Sequence, residues 1–194
     1  MLPHIHIETK RLLLRPFELD DLPDLHAMTS HEEVVRYLPE GVWTLEETRE
    51  ALRKITDRYR RGPSIREAKY TLAVVEKDTK KVVGWCGLGP MDFDQSEVEI
   101  YYGISRDFWG RGIATEAAKE LLHYGFRSIG LGEIVAIVKP ENIASQRVIE
   151  KLGMTYRNRI GSLPEKFKFY QGLLYYSLTQ EEYRRKATAE SGVE

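Results

Sequence analysis

Arg106-Asp107-Phe108-Trp109-Gly110-Arg111-Gly112-Ile113-Ala114-Thr115 is the stretch on which the reading of this chain turns. A strand pattern ends just before it and a helical pattern begins inside it. Two glycines one residue apart let the backbone turn sharply and approach a ligand closely. The helix behind them opens with unpaired N–H groups and the positive end of its dipole. Together these make a cradle for phosphate. Arg106 and Arg111 add charge, and no acidic side chain lies between Trp109 and Thr115. Two other glycine motifs fail on spacing. A P-loop needs Gly-Lys and then Ser or Thr, whereas Gly112 is followed by Ile113. A dinucleotide fingerprint needs a third glycine where Thr115 stands, and the strand here comes too late in the chain. Taken alone, the loop also reads as a plain strand-to-helix turn.

Upstream, Ser96–Ile104 reads as a strand with informative parity. Val98, Ile100, Tyr102 and Ile104 point one way; Glu97, Glu99, Tyr101 and Gly103 point the other. Before it, Tyr70–Glu76 and Lys81–Leu88 flank Lys77-Asp78-Thr79-Lys80 as a hairpin. Arg11–Arg15 reads as an opening strand ended by Pro16, and Glu18–Thr29 as a helix. Thr44-Leu45-Glu46-Glu47 is a capping box. Its helix carries Thr48, Ala51, Leu52, Ile55 and Tyr59 on one stripe and stops near Gly62-Pro63.

Downstream, Gly112–Ile129 is a strong helix and Glu133–Val138 a buried strand. Lys139-Pro140-Glu141-Asn142 ends that strand, with Asn142 as a natural N-cap. Asn142, Ser145 and Ile149 share one stripe of the helix that runs to Leu152 and stops at Gly153. Lys166–Leu178 holds late strand material, and Thr179 opens a short terminal helix. Two strand–helix units in tandem place polar groups at neighbouring strand ends, where open sheets bind ligands. The element order predicts one α+β domain (mixed α/β) over residues 1–194, with a core from about Ile7 to Tyr183 and a frayed tail at Ala187–Glu194.

Composition sets bounds. The 194 residues carry 29 Lys plus Arg against 30 Asp plus Glu, for a net charge of −1. That balance predicts no nucleic-acid or membrane-surface partner for the chain as a whole, so an anionic ligand must be met by local charge. A single cysteine, Cys86, in an apolar stretch excludes a disulfide framework and reads as a small buried hydrophobe. The longest clean apolar runs, such as Ile134–Val138, fall far short of the roughly 20 residues that span a bilayer. Met1-Leu2-Pro3-His4 has no signal-peptide architecture, and the expected location is the cytoplasm. His4, His6, His26, His31 and His123 show no metal-ligand spacing, so no metal is expected.

Four segments resemble one family. Trp109-Gly110-Arg111-Gly112-Ile113-Ala114 is similar to the acetyl-CoA pyrophosphate loop of the GCN5-related N-acetyltransferases (GNAT). Asn142-Ile143-Ala144-Ser145 with Glu150-Lys151-Leu152-Gly153-Met154 resembles that family's next signature. Thr9–Arg15 and Leu174–Leu178 resemble the branch of ribosomal-protein N-terminal acetyltransferases. The resemblance implies a mostly antiparallel mixed sheet of about six to seven strands with helices on both faces. It implies acetyl transfer from acetyl-CoA, a co-substrate, to an amine by direct attack in a ternary complex. Two positions depart from the family. Trp109 stands where Gln or Arg is usual, and Ile149 stands where many members carry an acid tyrosine, which makes Ser145 the expected proton donor.

That chemistry sets the site expectations. An alkyl ammonium titrates near about 10.4 and an α-amino group near about 7.7–8.0, so a base is needed. Glu99 is preferred over Glu97 because it lies nearer the strand end and matches the branch pattern as Glu99-Ile100-Tyr101-Tyr102. Backbone N–H groups near Ile104 and Ser105 are expected to face the thioester oxygen if the strand bulges or splays at Gly103. The resemblance assigns the donor molecule to Ile104, Ser105, Trp109, Gly110, Arg111, Gly112, Ile113, Ala114, Thr115, Asn142 and Ser145. Trp43, Tyr37 and Arg36 are expected on the acceptor wall, with Trp85, Tyr101 and Glu97 adding surface. The acceptor is a protein N-terminal amine or a small amine such as an amino acid, polyamine or aminoglycoside, on a monomer or homodimer. A non-catalytic acyl-CoA-binding module, or a structural subunit on the same fold, are the competing readings.

Overall fold

The computed structural model describes residues 5–62 and 64–191. Met1–His4, Pro63 and Gly192–Glu194 lie outside it, and with them the N-terminal reading, the proline of the Gly62-Pro63 stop and the end of the expected tail. Leu12–Pro16 forms strand β2, with the short β1 (Ile7–Glu8) folded back on it. A 3-10 turn at Leu19–Asp21 precedes α1 (Leu22–Thr29). The helix expected from Glu18 starts late because Pro23, which has no N–H to give, fits only its first turn. After the four-residue α2 (Glu32–Val35), α3 spans Leu45–Arg61. The Thr44 hydroxyl accepts from the Glu47 N–H, the Glu47 carboxylate accepts from the Thr44 N–H, and left-handed Gly62 closes the far end.

Strands β3 (Tyr70–Glu76), β4 (Val82–Pro90) and β5 (Val98–Ile104) make an antiparallel meander. Helix α4 (Ile113–Tyr124) runs on into a π turn at Gly125–Ile129 and leads to β6 (Glu133–Val138). Then come α5 (Ile143–Lys151), β7 (Thr155–Arg159), β8 (Leu174–Thr179) and α6 (Gln180–Ser191). The sheet has eight strands in the order β1-β2-β3-β4-β5-β6-β8-β7, one more than the upper expectation. The short β1 and the edge strand β7 are the two strands that the sequence does not mark. All five residues of β7, Thr-Tyr-Arg-Asn-Arg, are exposed, so it carries no apolar alternation to read. The late segment divides into a 3-10 helix at Glu165–Tyr170 and β8. Helix α6 runs into the stretch expected to fray.

Two apolar clusters cover the two faces. One joins Ile100, Ile104, Ile113, Leu121, Ile134 and Ile149 under α4 and α5. The other joins Phe17, Leu25, Leu52, Ala73 and Trp85 under α1 and α3. Cys86 lies in the first, fully buried, its thiol pushed up by desolvation. No helix among the described residues is long and apolar enough to cross a membrane.

On the α1/α3 face, β4 and β5 interlock large side chains with glycines. Trp85 pairs with Gly103, and a Cβ on Gly103 would fall 2.2 Å from the Trp85 ring. Tyr101 pairs with Gly87, where a Cβ would fall 2.3 Å from the Tyr101 ring. Two aromatic rings thus lie flat across neighbouring strands as a floor. Gly103→Ala is expected to lower stability by about 1–3 kcal/mol through overpacking, read as a lower Tm with an unchanged far-UV spectrum. An unchanged Tm would show that the Trp85 ring has room to move.

Candidate active site

β5 and β6 are the only parallel neighbours among the described strands, and they share one ladder pair, Glu99 with Val135. Beyond it they part. β5 keeps unbroken register with β4 from Pro90–Val98 to Gly84–Ile104, so the opening is a splay against β6 and not a bulge at Gly103. The Ser105 N–H donates to the Val83 carbonyl at 2.8 Å. Ser105 is therefore no free donor, against expectation. Antiparallel ladder bonds alternate, so the N–H groups of Tyr102 and Ile104 face away from β4 into the splay. The indole N–H of Trp109 accordingly reaches the Ile104 carbonyl from that side, at 2.7 Å.

A cavity of about 340 Å³ passes through this parting. Glu99 and Tyr101 line it from the α1/α3 face; Ile100 and Tyr102 line it from the α4/α5 face. Asn142, Ser145 and Ile149 all line it, as their shared stripe requires. The Asn142 Oδ1 accepts from the Ser145 N–H at 3.1 Å, which caps α5 and fixes Ser145 at the rim. The Tyr102 hydroxyl lies 2.9 Å from the Ser145 Oγ. Sequence reasoning missed Tyr102 because it sits in phase with the apolar residues of its strand.

Glu99 is 9% exposed, and no hydrogen bond reaches its carboxylate among the described residues. Burial pushes its carboxyl up to about 7; Lys69 pulls it down and Asp92 pushes it up. Lys69 Nζ pairs with Asp92 at 2.8 Å, and the Tyr170 hydroxyl donates to the same carboxylate at 2.5 Å. These three also line the cavity and were not foreseen. They come from the approach to β3, the β4–β5 turn and the 3-10 helix before β8, so no local pattern links them.

The other expected residues divide. Tyr37, Trp43 and Trp85 line the cavity; Arg36 and Glu97 do not. The Glu97 carboxylate takes the Tyr175 hydroxyl instead. The loop 109–115 lies outside the cavity lining, joined to β5 through Trp109. Gly110 and Gly112 are both left-handed, at φ +73° and +75°. Gly112 is the N-cap of α4 and no side chain caps that end. The Arg11 guanidinium holds the loop by donating to the Arg111 carbonyl at 2.9 Å while pairing with Glu116 at 2.6 Å. The one first-turn carboxylate of α4 is thereby neutralised. Arg106, expected to add charge to the loop, pairs with Glu33 at 2.5 Å, whereas the Arg111 guanidinium lies over the Phe108 ring. No cluster of three His, Cys, Asp or Glu that could hold a metal occurs among the described residues.

A sequence profile of the acetyltransferase (GNAT) domain matches residues 11–155. The chain is 31% identical over 179 residues to an uncharacterized N-acetyltransferase, YnaD, of Bacillus subtilis, spanning 92% of this chain and 99% of that one. It is 31% identical over 147 residues to the spermidine N(1)-acetyltransferase of Escherichia coli, spanning 76% of this chain and 74% of that one. Among solved structures, a GNAT-family acetyltransferase from Bacillus anthracis superposes with a TM-score of 0.78 at 30% identity, over 92% of this chain and 100% of that one.

An acid whose value is raised by folding binds its proton more tightly in the folded chain. Burial of Glu99 therefore costs stability once pH exceeds its ordinary 4.5, increasingly until about 7. Glu99→Gln removes that cost. At pH 8 the variant is expected to be more stable than the parent by about 3 kcal/mol and to melt higher, with the gap closing toward pH 4. A gap in Tm that ignores pH would show that Glu99 is not desolvated.

Proposed function

The chain belongs to the acetyltransferase (GNAT) family, and from that premise we propose that it carries the acetyl group of acetyl-CoA to a primary amine, by direct attack within a ternary complex in this cavity. The observation that carries the reading is the passage through the sheet. It opens on Glu99 from one face and on the Tyr102–Ser145 pair from the other, so a base and a proton donor address one point from opposite sides.

The donor molecule fits the other face. The uncapped start of α4, preceded by two left-handed glycines, offers backbone N–H groups to a pyrophosphate. A Cβ at Gly110 would meet nothing within 4 Å, so that approach is open. Trp109, Arg111 and the N–H groups of Ile113, Ala114 and Thr115 complete the phosphate cradle, and Asn142 with Ser145 borders the acyl end. Bound there, acetyl-CoA supplies an activated acetyl thioester.

The chain's own residues then act in order. The Glu99 carboxylate takes a proton from the incoming ammonium, directly or through a water, leaving a neutral nitrogen. The Ile104 N–H, facing the splay, donates to the acetyl oxygen as charge develops on it. The C–N bond forms and the C–S bond breaks. The second nitrogen proton balances the departing thiolate, which the Ser145 hydroxyl meets as donor. A coenzyme thiol titrates near about 8.5, so this last transfer is the least demanding. A module that only binds acyl-CoA needs no base, and the placement of Glu99 in the cavity favours the enzyme.

Calorimetric titration with acetyl-CoA and CoA is expected to give saturable binding that Gly112→Trp weakens at least about tenfold, in a variant whose Tm falls with the strain of a side chain at φ +75° but which still melts cooperatively. No binding at millimolar acetyl-CoA would overturn the reading. With any accepted amine, kcat/KM is expected to rise about tenfold per pH unit up to about 7 and then level. Glu99→Gln is expected to lose about 10²–10⁴-fold on the plateau above pH 7 and to flatten the rise below it, so that the gap to the parent narrows as pH falls.

A further inference from the structure

We propose that the acceptor amine carries an apolar or aromatic body, received by an annex of the cavity walled by Phe17, Leu25, Leu38, Ile55 and Trp85. The inference rests on the acetyl-transfer reading of the same cavity. The annex is the place where the cavity meets the apolar cluster under α1 and α3. Its walls come from the end of β2, α1, the loop after α2, α3 and β4, all on the face from which Glu99 projects. None of the five is ionisable.

The polar atoms nearby are already satisfied. The Thr29 hydroxyl donates to the Leu25 carbonyl at 3.1 Å and lies 2.8 Å from the Thr48 hydroxyl. The Thr71 hydroxyl lies 2.9 Å from that of Tyr101. They have little to offer a polar acceptor. The charges gather elsewhere in the cavity, and most are matched. Asp92 holds Lys69 and the Tyr170 hydroxyl, and Lys139 Nζ donates to the Phe169 carbonyl at 3.0 Å. Glu40 stands exposed on the loop after α2. That leaves Glu99, among the described residues, as the one buried carboxylate without a hydrogen-bond or ion-pair partner.

One unmatched buried carboxylate suits one ammonium. A second or third positive charge on the acceptor would enter a wall with no counter-ion and would lose its hydration uncompensated. An alkyl or aryl body gains there instead, because each buried methylene is favourable. Trp85 and Tyr101, held flat by Gly103 and Gly87, offer an aromatic surface against which a ring can pack. The geometry therefore selects an alkylamine, an arylalkylamine or an amine next to an apolar side chain over a polyamine.

A homologous series tests this. Ethyl-, butyl- and hexylamine, 2-phenylethylamine and spermidine are offered at pH 8 to the protein saturated with acetyl-CoA, with thiol release as readout. The expected result is a kcat/KM that climbs about threefold per added methylene, and 2-phenylethylamine ahead of spermidine by at least about tenfold. A flat series, or spermidine in the lead, overturns the inference and leaves the acetyl-transfer reading standing. Ile55→Trp and Leu38→Trp, at two half-buried wall positions, are each expected to collapse the hexylamine-to-ethylamine ratio at least about tenfold; an unmoved ratio in both counts against the annex. Saturation-transfer NMR with 2-phenylethylamine needs no turnover. Magnetisation passing from the protein to the ring protons is the expected result. Its absence at about 10 mM, well above typical substrate affinities, refutes the annex even if no amine is acetylated.

Discussion

β5 and β6 meet at one ladder pair, Glu99 with Val135, and the cavity depends on their parting beyond it. A sheet that stayed closed would bury the N–H groups of Tyr102 and Ile104 in β6 and leave no passage between its faces. Parting is costly unless those groups find partners, because buried backbone polar groups are almost always paired. Parting also frees a carbonyl, and the indole N–H of Trp109 donates to that acceptor, the Ile104 carbonyl, from one side of the gap, while the two N–H groups face the cavity. Helices α4 and α5 each follow one of the two strands and pack beside each other on the face where the ends part. The parallel pairing itself demands the crossover helix α4, which brings the glycine loop to the end of β5. The splay, the phosphate cradle and the helix are thus one consequence of one connection.

Electrostatics on the two sides of that gap differ in kind. On the α1/α3 face, Lys69, Asp92 and Tyr170 form a closed set beside Glu99, and Glu99 is left without a donor of its own. A partnered Glu99 would titrate low and be a poor base. An isolated one would titrate higher still, because Lys69 now pulls it down. On the α4/α5 face the hydroxyls of Tyr102 and Ser145 hold each other, and burial raises the Tyr102 phenol. Tyr102 therefore keeps its proton and serves best by orienting the serine.

The sequence made most of the frame legible. The capping box at Thr44, the parity of β5, the glycine loop and the cap at Asn142 are local patterns, and local patterns survive the step from chain to fold. The parity of β5 also placed Glu99 and Tyr101 on one face, and the α5 stripe placed Asn142, Ser145 and Ile149 on one cavity. What the sequence concealed was set by pairing at long range. Glu97 has the same parity as Glu99, yet Tyr175, 78 residues away, captures it. Asp92 and Tyr170 are also 78 residues apart and sit in irregular segments, where no periodicity marks them. Arg106 reads as loop charge until α2 delivers Glu33 to it. β7 is invisible because a strand exposed on both faces has no alternation.

The glycines of β4 and β5 show how stability and recognition share residues. Gly87 and Gly103 look in sequence like weak points in two central strands, since glycine adds nothing to a sheet. In the fold each is a vacancy filled by a ring from the neighbouring strand, and the filled pair makes the cavity floor. Gly89 performs the same service for backbone. A Cβ there would fall 2.3 Å from Lys69 Cα, so its absence lets the approach to β3 cross the end of β4. From that position Lys69 reaches Asp92 at 2.8 Å. Gly89 pairs directly with Glu99 on β5. A residue with no side chain therefore sits opposite the base and under the backbone of the cation that tunes it, and a side chain at that position would displace Lys69 backbone and disturb strand packing and proton chemistry together.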